Sequence, residues 1–374
     1  MPEQTSALLA LVLSGGAVAP RRGLLDMHLN PVRCLAAGAP AWRAAGLAEN
    51  QIQRLRKPEE AELQRALQWL DHPRHHLIGW QDPDYPALLK QISSPPLALF
   101  VDGDPTLLWH PGVAVVGSRS PTAGGRDNAR TFARAFVAAG VSVISGMAAG
   151  IDAAAHEAAL QDNGMTIAVL GTGPDLAYPH ANTGLHARIA ESGVLVSEHV
   201  PGTPARPSHF PSRNRILSGL SLGTLVVEAA ERSGALITAR QAVESGREVF
   251  AVPGSIHNPM ARGCHRLIRE GAALVESPAE VLAAVSTMAG ELAHALRGRL
   301  DEAAQRPHLG PDKALIPLAP DYQQLWLALA HDPTPMDLLV ERTGLTAADL
   351  SSMLLVMELE GRVAVEHGRY SRKS

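Results

Sequence analysis

From Gly112 to about residue 285 the chain alternates short apolar runs rich in β-branched residues with small-residue loops and helix-length stretches. The apolar runs fall at 113–116, 141–145, 166–170, 194–197, 224–227, 248–252 and 273–275. Runs that are apolar almost throughout, rather than at alternate positions, belong to strands covered on both faces, the condition of a parallel sheet. Repeated strand, loop and helix predict a doubly wound α/β sheet. The first repeat, Val113 to Gly150, reads as one βαβ unit to which the rest is attached.

The flanks carry different patterns. Residues 5 to about 62 alternate apolar helical patches with glycine breaks at Gly15, Gly16 and Gly46, which predicts a small helical domain. Two roles stay open for it: a helix-hairpin-helix gripping a DNA backbone through its turn, or a structural or protein-docking bundle, since basic residues do not cluster at its turns. Between 63 and about 104, tryptophan, tyrosine, proline and histidine surround two short strands, 77–80 and 97–101, expected to extend the sheet. Beyond 286 an alanine-rich helix runs into prolines. The tail then gives three helical patterns, 322–330, 336–343 and 346–360, and two strands, 363–365 and 369–371, the outline of a winged helix. Domains are therefore expected at 1–62, 63–287 and 319–374, with 288–318 as a linker.

Composition narrows the function. The chain has 374 residues, room for two or three domains, and a net charge of -4, so any nucleic-acid surface must be a local patch. The two cysteines, Cys34 and Cys264, lie far apart, which argues against a disulfide framework and fits a reducing compartment. No stretch approaches the ~20 apolar residues of a membrane span, and the start lacks a basic leader, so a cytoplasmic location is expected. Paired His75 and His76 have no carboxylate or thiol neighbours in sequence, a poor metal pattern.

Chemistry concentrates in the loops after the strands, where ligands of doubly wound sheets bind. These loops begin Gly117-Ser118-Arg119, Gly146-Met147-Ala148, Gly171-Thr172-Gly173, Ser197-Glu198-His199, and Pro253-Gly254, with Ser233-Gly234 opening another helix. Glycine lets backbone approach a ligand, and helix N-termini offer N–H groups and partial positive charge, so this edge suits an anion or phosphate. No Gly-Lys-Ser/Thr follows any strand, and Leu176 stands where a dinucleotide fingerprint beginning at Gly171 needs its third glycine, so no nucleotide cofactor is expected. Asp152 and His156, four apart on one predicted helix, suit either catalysis or a buried hydrogen-bonding role.

With these loops in order the chain resembles the DNA-processing protein A family, also called DprA or Smf. The matching segments are 115–119, 145–156, 166–171, Tyr178-Pro179 with Asn182, 210–221, 226–229, 233–239 and 249–254. The resemblance implies an extended Rossmann-like, mostly parallel α/β sheet between a small N-terminal SAM/helix-hairpin-helix-like domain and a C-terminal winged-helix domain. It implies a non-enzymatic protein that binds and protects single-stranded DNA and loads the RecA recombinase on it, in natural transformation and homologous recombination. A homodimer without cofactor or metal is expected. Carried over residue by residue, it places Gly117, Ser118, Arg119, Gly146, His180, Asn182, Arg213, Asn214 and Arg215 against DNA. For Arg213 and Arg215 an ion pair with Glu198 or Glu228 is the other possibility.

Two positions depart from the family pattern. His180 stands where relatives often carry a DNA-contacting lysine, so charge there would follow pH, and the Gly263-Cys264-His265 segment replaces one that usually ends in asparagine. The alternative reading is a nucleotide-processing Rossmann enzyme related to LOG-type phosphoribohydrolases. Against it, Val227 occupies the place of that family's catalytic glutamate, and Glu228, one residue along, belongs to the other strand face. The tail holds more acids than bases, and its expected recognition helix, 346–360, holds no base, so a protein contact is expected there rather than duplex DNA.

Overall fold

A computed structural model of the chain describes residues 2–305, 324–326, 328–329, 334–359, 363–366 and 369–372. These fall into two compact units, 1–299 and 300–374.

The first unit is built on a nine-stranded sheet of order β1-β2-β6-β5-β4-β3-β7-β8-β9. Its strands are β1 (His75–Gly79), β2 (Ala98–Gly103), β3 (Gly112–Gly117), β4 (Ser142–Ser145), β5 (Thr166–Val169), β6 (Val194–Ser197), β7 (Gly223–Val227), β8 (Glu248–Ala251) and β9 (Ala273–Leu274). From β6 to β9 all neighbours are parallel, whereas β1 and β2 add an antiparallel extension at the β6 edge. The fold is therefore the mixed, mainly parallel α/β architecture that the apolar runs predict.

Strand β3 shows how sequence becomes architecture. Val113 and Val115 enter one core, against Ala129, Phe132 and Phe136 of helix Ala123–Ala138 and Ile151 and Ala155 of helix Ile151–Gln161. Ala114 and Val116 enter the other core, against Ile216 and Leu217 of helix His209–Leu220 and Ala239 of helix Ala235–Glu244. All four strand residues are buried, so every position is apolar although side chains alternate faces. Each such valine contributes ~1.5–3 kcal/mol by leaving water.

Six helices precede the sheet, from Pro2–Leu13 to Glu60–Leu70, around a core that includes Leu11, Leu24, Cys34, Trp42 and Ile52. Their first turn carries Gly15 and Gly16, at φ 67° and 69°. Buried Arg21 donates to Leu11 O and Gly16 O, so the basic residue beside this turn is used internally. Helix Pro278–Gln305 follows β9, and its Val281, Val285 and Leu292 join the sheet core; it covers the first part of the expected linker, whose remainder at 306–318 lies outside the described residues.

In the second unit, strands β10 (Thr334–Pro335), β11 (Val363–Glu366) and β12 (Arg369–Arg372) form an antiparallel sheet of order β10-β12-β11. Helices Met336–Thr343 and Ala347–Leu359 pack Leu339, Leu350, Met353 and Met357 into a core with Leu325, Leu329 and Val363. Of the expected helix at 322–330, residues 324–326 and 328 are helical, whereas 322, 323, 327 and 330 lie outside the described residues. Among the described residues no helix is long and apolar enough to cross a membrane.

Candidate nucleic-acid interface

The chain leaves β3 to build β4, β5 and β6 on one side, then returns to build β7 and β8 on the other. The carboxyl ends of β3 and β7, paired at Gly117 and Val227, thus mark the point where the strand order reverses, the usual ligand crevice of such sheets. Gly117 is required there: a Cβ would run into the Val227 carbonyl and lie 2.7 Å from the Ile151 side chain.

A cavity of about 690 Å³ opens at this edge, lined by Gly117, Ser118, Arg119, Arg213 and Asn214 among others. Ser118 is buried, and its hydroxyl accepts from Ser120 N at 3.1 Å and donates to Met260 Sδ at 3.6 Å. Arg119 is exposed, with no ion-pair partner among the described residues. Its guanidinium carbon sits 5.9 Å from the centre of the Phe210 ring, within cation–π range. Phe210 in turn leans on Tyr178, with ring centres 5.2 Å apart and planes at 36°, and Tyr178 stays 41 % exposed. A cation beside exposed aromatic faces is the combination that holds single-stranded nucleic acid, by its phosphates and its bases respectively.

Arg213 also lines the cavity, 5 % exposed; its Nη1 donates to Val169 O at 2.9 Å and its Nε has no hydrogen-bond partner among the described residues. Burial lowers its pKa to about 10, against the opposing pull of Asp152, so it remains charged at neutral pH. Asp152 is also buried and accepts from Gly146 N at 3.1 Å and Ala148 N at 3.3 Å. Burial raises its pKa, with the Arg213 charge working the other way. Gly146 itself makes room for this arrangement, because a Cβ there would collide with the Arg213 guanidinium.

Of the remaining expected residues, Asn214 lines this cavity, whereas Arg215, Asn182 and His180 do not. Arg215 is held by Glu198 through Nη1 at 2.9 Å and Nη2 at 2.6 Å, and its Nε donates to Ser94 O. Asn182 donates to Met147 O at 2.8 Å, tying the loop after β5 to the loop after β4. His180 is exposed and lines an adjoining hollow of about 470 Å³, which shares Tyr178 with the main cavity. Asn214 is half-buried on the cavity wall. Asp152 and His156 serve separate buried bonds, the latter between its Nδ1 and Thr166 Oγ1 at 2.7 Å. Tyr178 and Phe210, 32 positions apart, meet only in the fold, and Arg232 and Ser233 also line the cavity; none of the four is among the contacts expected from the sequence. The signal available is that Tyr178, Arg232 and Ser233 sit in loops following strands and Phe210 in the first turn of a helix after β6.

Among the described residues no group of three or more His, Cys, Asp or Glu side chains is placed to hold a metal ion. The glutamate of the alternative enzyme reading is committed: Glu228 accepts from Thr122 N, Thr122 Oγ1 and Asn258 Nδ2. Val227, in that family's catalytic position, is fully buried.

Comparison with known proteins matches residues 76–286 to the model of DNA recombination-mediator protein A and residues 310–369 to a DprA winged helix domain. Protein Smf of Escherichia coli strain K12 is 41 % identical over 335 residues, 89 % of this chain and 87 % of that protein. The DNA processing protein DprA of Streptococcus pneumoniae is 48 % identical over 202 residues, 54 % of this chain and 71 % of that protein. The X-ray structure of DNA processing protein A from Streptococcus pneumoniae superposes with a TM-score of 0.66 at 37 % identity, covering 74 % of this chain and 95 % of that one. A structure describing the single-stranded DNA binding mode of DNA processing protein A from Helicobacter pylori gives a TM-score of 0.51 at 27 % identity, covering 59 % of this chain and 98 % of that one.

Proposed function

The chain belongs to the DNA recombination-mediator protein A family, and from that premise we propose that it captures single-stranded DNA at the β3–β7 edge. One phosphate sits against Ser118 and Arg119, with neighbouring bases on Tyr178 and Phe210 and the buried Arg213 charge in the same cavity lining. The observation that carries this reading is Arg119 itself, an exposed guanidinium without an acidic partner among the described residues, poised over an aromatic ring at a glycine loop. Contacts of this kind read backbone charge and base faces, so binding is tolerant of sequence and sensitive to salt. The Helicobacter pylori structure, which concerns single-stranded DNA, supports the choice of ligand.

In the fuller reading, segment 63–287 holds the strand, a second protomer extends its path, and the complex protects the strand and hands it to RecA in the cytoplasm during transformation and recombination. The N-terminal helices and the winged helix at 319–374 then serve partner contacts; described helix Ala347–Leu359 carries Asp349 and no basic residue. The protein acts by binding rather than turnover, a view supported by the three hydrogen bonds that occupy Glu228.

The test is a gel-shift series on the full chain with single-stranded and duplex DNA of one length, with and without RecA. Preference for the single strand and faster RecA filament growth on it are expected; equal affinity for both forms contradicts the reading. A base-release assay on nucleoside monophosphates separates the alternative, because turnover lost in Glu228→Gln would restore the enzyme.

A further inference from the structure

Arg232, Ser233 and Gly234 line the same cavity as Arg119, where helix Ala235–Glu244 begins. Arg232 is exposed and has no ion-pair partner among the described residues. The Ser233 hydroxyl accepts from Ala235 N at 3.3 Å, which leaves its proton available to a ligand oxygen. The helix start adds partial positive charge there. An independent observation is that Arg213, 5 % exposed and lining the same cavity, keeps its Nε without a hydrogen-bond partner among the described residues.

Charge decides how many anions this arrangement calls for. The charged side chains lining the cavity are the guanidinium groups of Arg119, Arg213 and Arg232 and the carboxylate of Asp152. Three positive groups against one negative leave an excess of two, and each phosphodiester of a strand carries a single negative charge. One phosphate at Ser118 and Arg119 would leave one positive charge of the lining uncompensated.

We propose that Arg232 and Ser233 form a second phosphate seat, so that one cavity grips two successive phosphates of the same strand, with Arg213 as a shared buried charge. This rests on the single-strand reading above and adds the stoichiometry of contact. Arg232 binds as an exposed bidentate donor, Ser233 as a hydroxyl donor, and neither supports the core; their replacement acts on binding and leaves folding intact.

The experiment is a titration of the full chain with fluorescent oligo-dT from 50 to 200 mM salt, comparing wild type, Arg119→Ala, Arg232→Ala, Ser233→Ala and the double variant Arg119→Ala/Arg232→Ala. Each phosphate contact on a single strand contributes ~0.7 to the slope of log affinity against log salt. Either arginine substitution is expected to reduce the slope by ~0.7 and the double variant by ~1.4, since separate seats add. Ser233→Ala is expected to weaken binding with the slope unchanged, because it removes a neutral donor. Unchanged affinity and slope in Arg232→Ala, with Arg119→Ala impaired, overturns the second seat alone. A double variant no weaker than Arg119→Ala overturns it too, as the mark of one shared phosphate. If neither arginine matters, the single-strand site itself is misplaced, an outcome distinct from both. An unchanged melting temperature of Arg232→Ala confirms that the titration reads binding.

Discussion

The carboxylate of Glu228 accepts from both the backbone N–H and the hydroxyl of Thr122, at 2.8 and 2.6 Å. Thr122 Oγ1 in turn accepts from Gly125 N at 3.0 Å and so caps helix Ala123–Ala138. Asn258 donates to the same carboxylate at 3.2 Å, so one side chain joins the segments that follow β3, β7 and β8 around the cavity. Glu228 pays for this position with φ of 51°, a region that non-glycine residues rarely enter.

Removing that junction is expected to loosen the edge. Glu228→Ala should lower unfolding free energy by on the order of 2 kcal/mol, because charge-assisted bonds are lost and a helix cap is freed. Urea denaturation measures it, and a loss within the ordinary scatter of surface substitutions contradicts the structural role.

The Arg215–Glu198 pair is expected to behave as structure. Both side chains are mostly buried, at 17 % and 15 % exposure, and the pair is bidentate. A double-mutant cycle with alanine at each position should return a coupling of about 1–3 kcal/mol. Oligo-dT affinity of folded Arg215→Ala should stay close to wild type; a large loss would return Arg215 to the DNA surface.

Tyr178 tests the stacking surface with little risk to the fold, since its ring is 41 % exposed. Tyr178→Ala should weaken single-strand binding by ~1–3 kcal/mol while leaving the salt slope untouched, because stacking carries no phosphate charge. Tyr178→Phe should retain affinity. An affinity of the alanine variant equal to wild type removes the aromatic platform from the account.

Acid should destabilise the sheet through His156. Desolvation, aided by the Arg213 charge, lowers its pKa to about 3, and its Nε2 has no hydrogen-bond partner among the described residues. An unfolded histidine titrates near 6.5, so between these values the unfolded chain binds the extra proton. The stabilising contribution is therefore complete above about 6.5 and is lost as pH falls toward 3. His199, lowered to about 4 chiefly by burial, acts in the same direction. Stability is expected to decline by ~1 kcal/mol per pH unit for His156 between about 6.5 and 3, and for His199 between about 6.5 and 4. His156→Gln should flatten that decline, and an unchanged pH slope contradicts the assignment.

The strands were legible because β3 to β9 are apolar runs, mostly ended by glycine or small polar residues; observed ends fall within a residue or two of those expected. The Gly117-Ser118-Arg119 loop is legible as the glycine and small polar residues that end an apolar run, and the reversal of strand order puts it at the edge where such sheets bind ligands. The division of labour between Arg213 and Arg215 was not. On helix His209–Leu220 two residues are separated by about 200° of rotation, which sends one guanidinium to the cavity lining and the other to Glu198. Identical residue types in one motif give no hint of which faces inward. The Tyr178–Phe210 contact is not legible because it joins the loop after β5 to the start of helix His209–Leu220, and the room that Gly146 leaves for Arg213 has no sequence signal of its own.

The central claim is that Arg119 takes a DNA phosphate at the carboxyl edge of β3. The most direct measurement is fluorescence anisotropy of oligo-dT with wild type and Arg119→Ala at 50 and 200 mM salt, each variant checked for an unchanged melting temperature. The account predicts roughly tenfold or greater weakening at the lower salt, and a slope reduced by ~0.7. Equal affinity and equal salt dependence in a folded Arg119→Ala protein would contradict it.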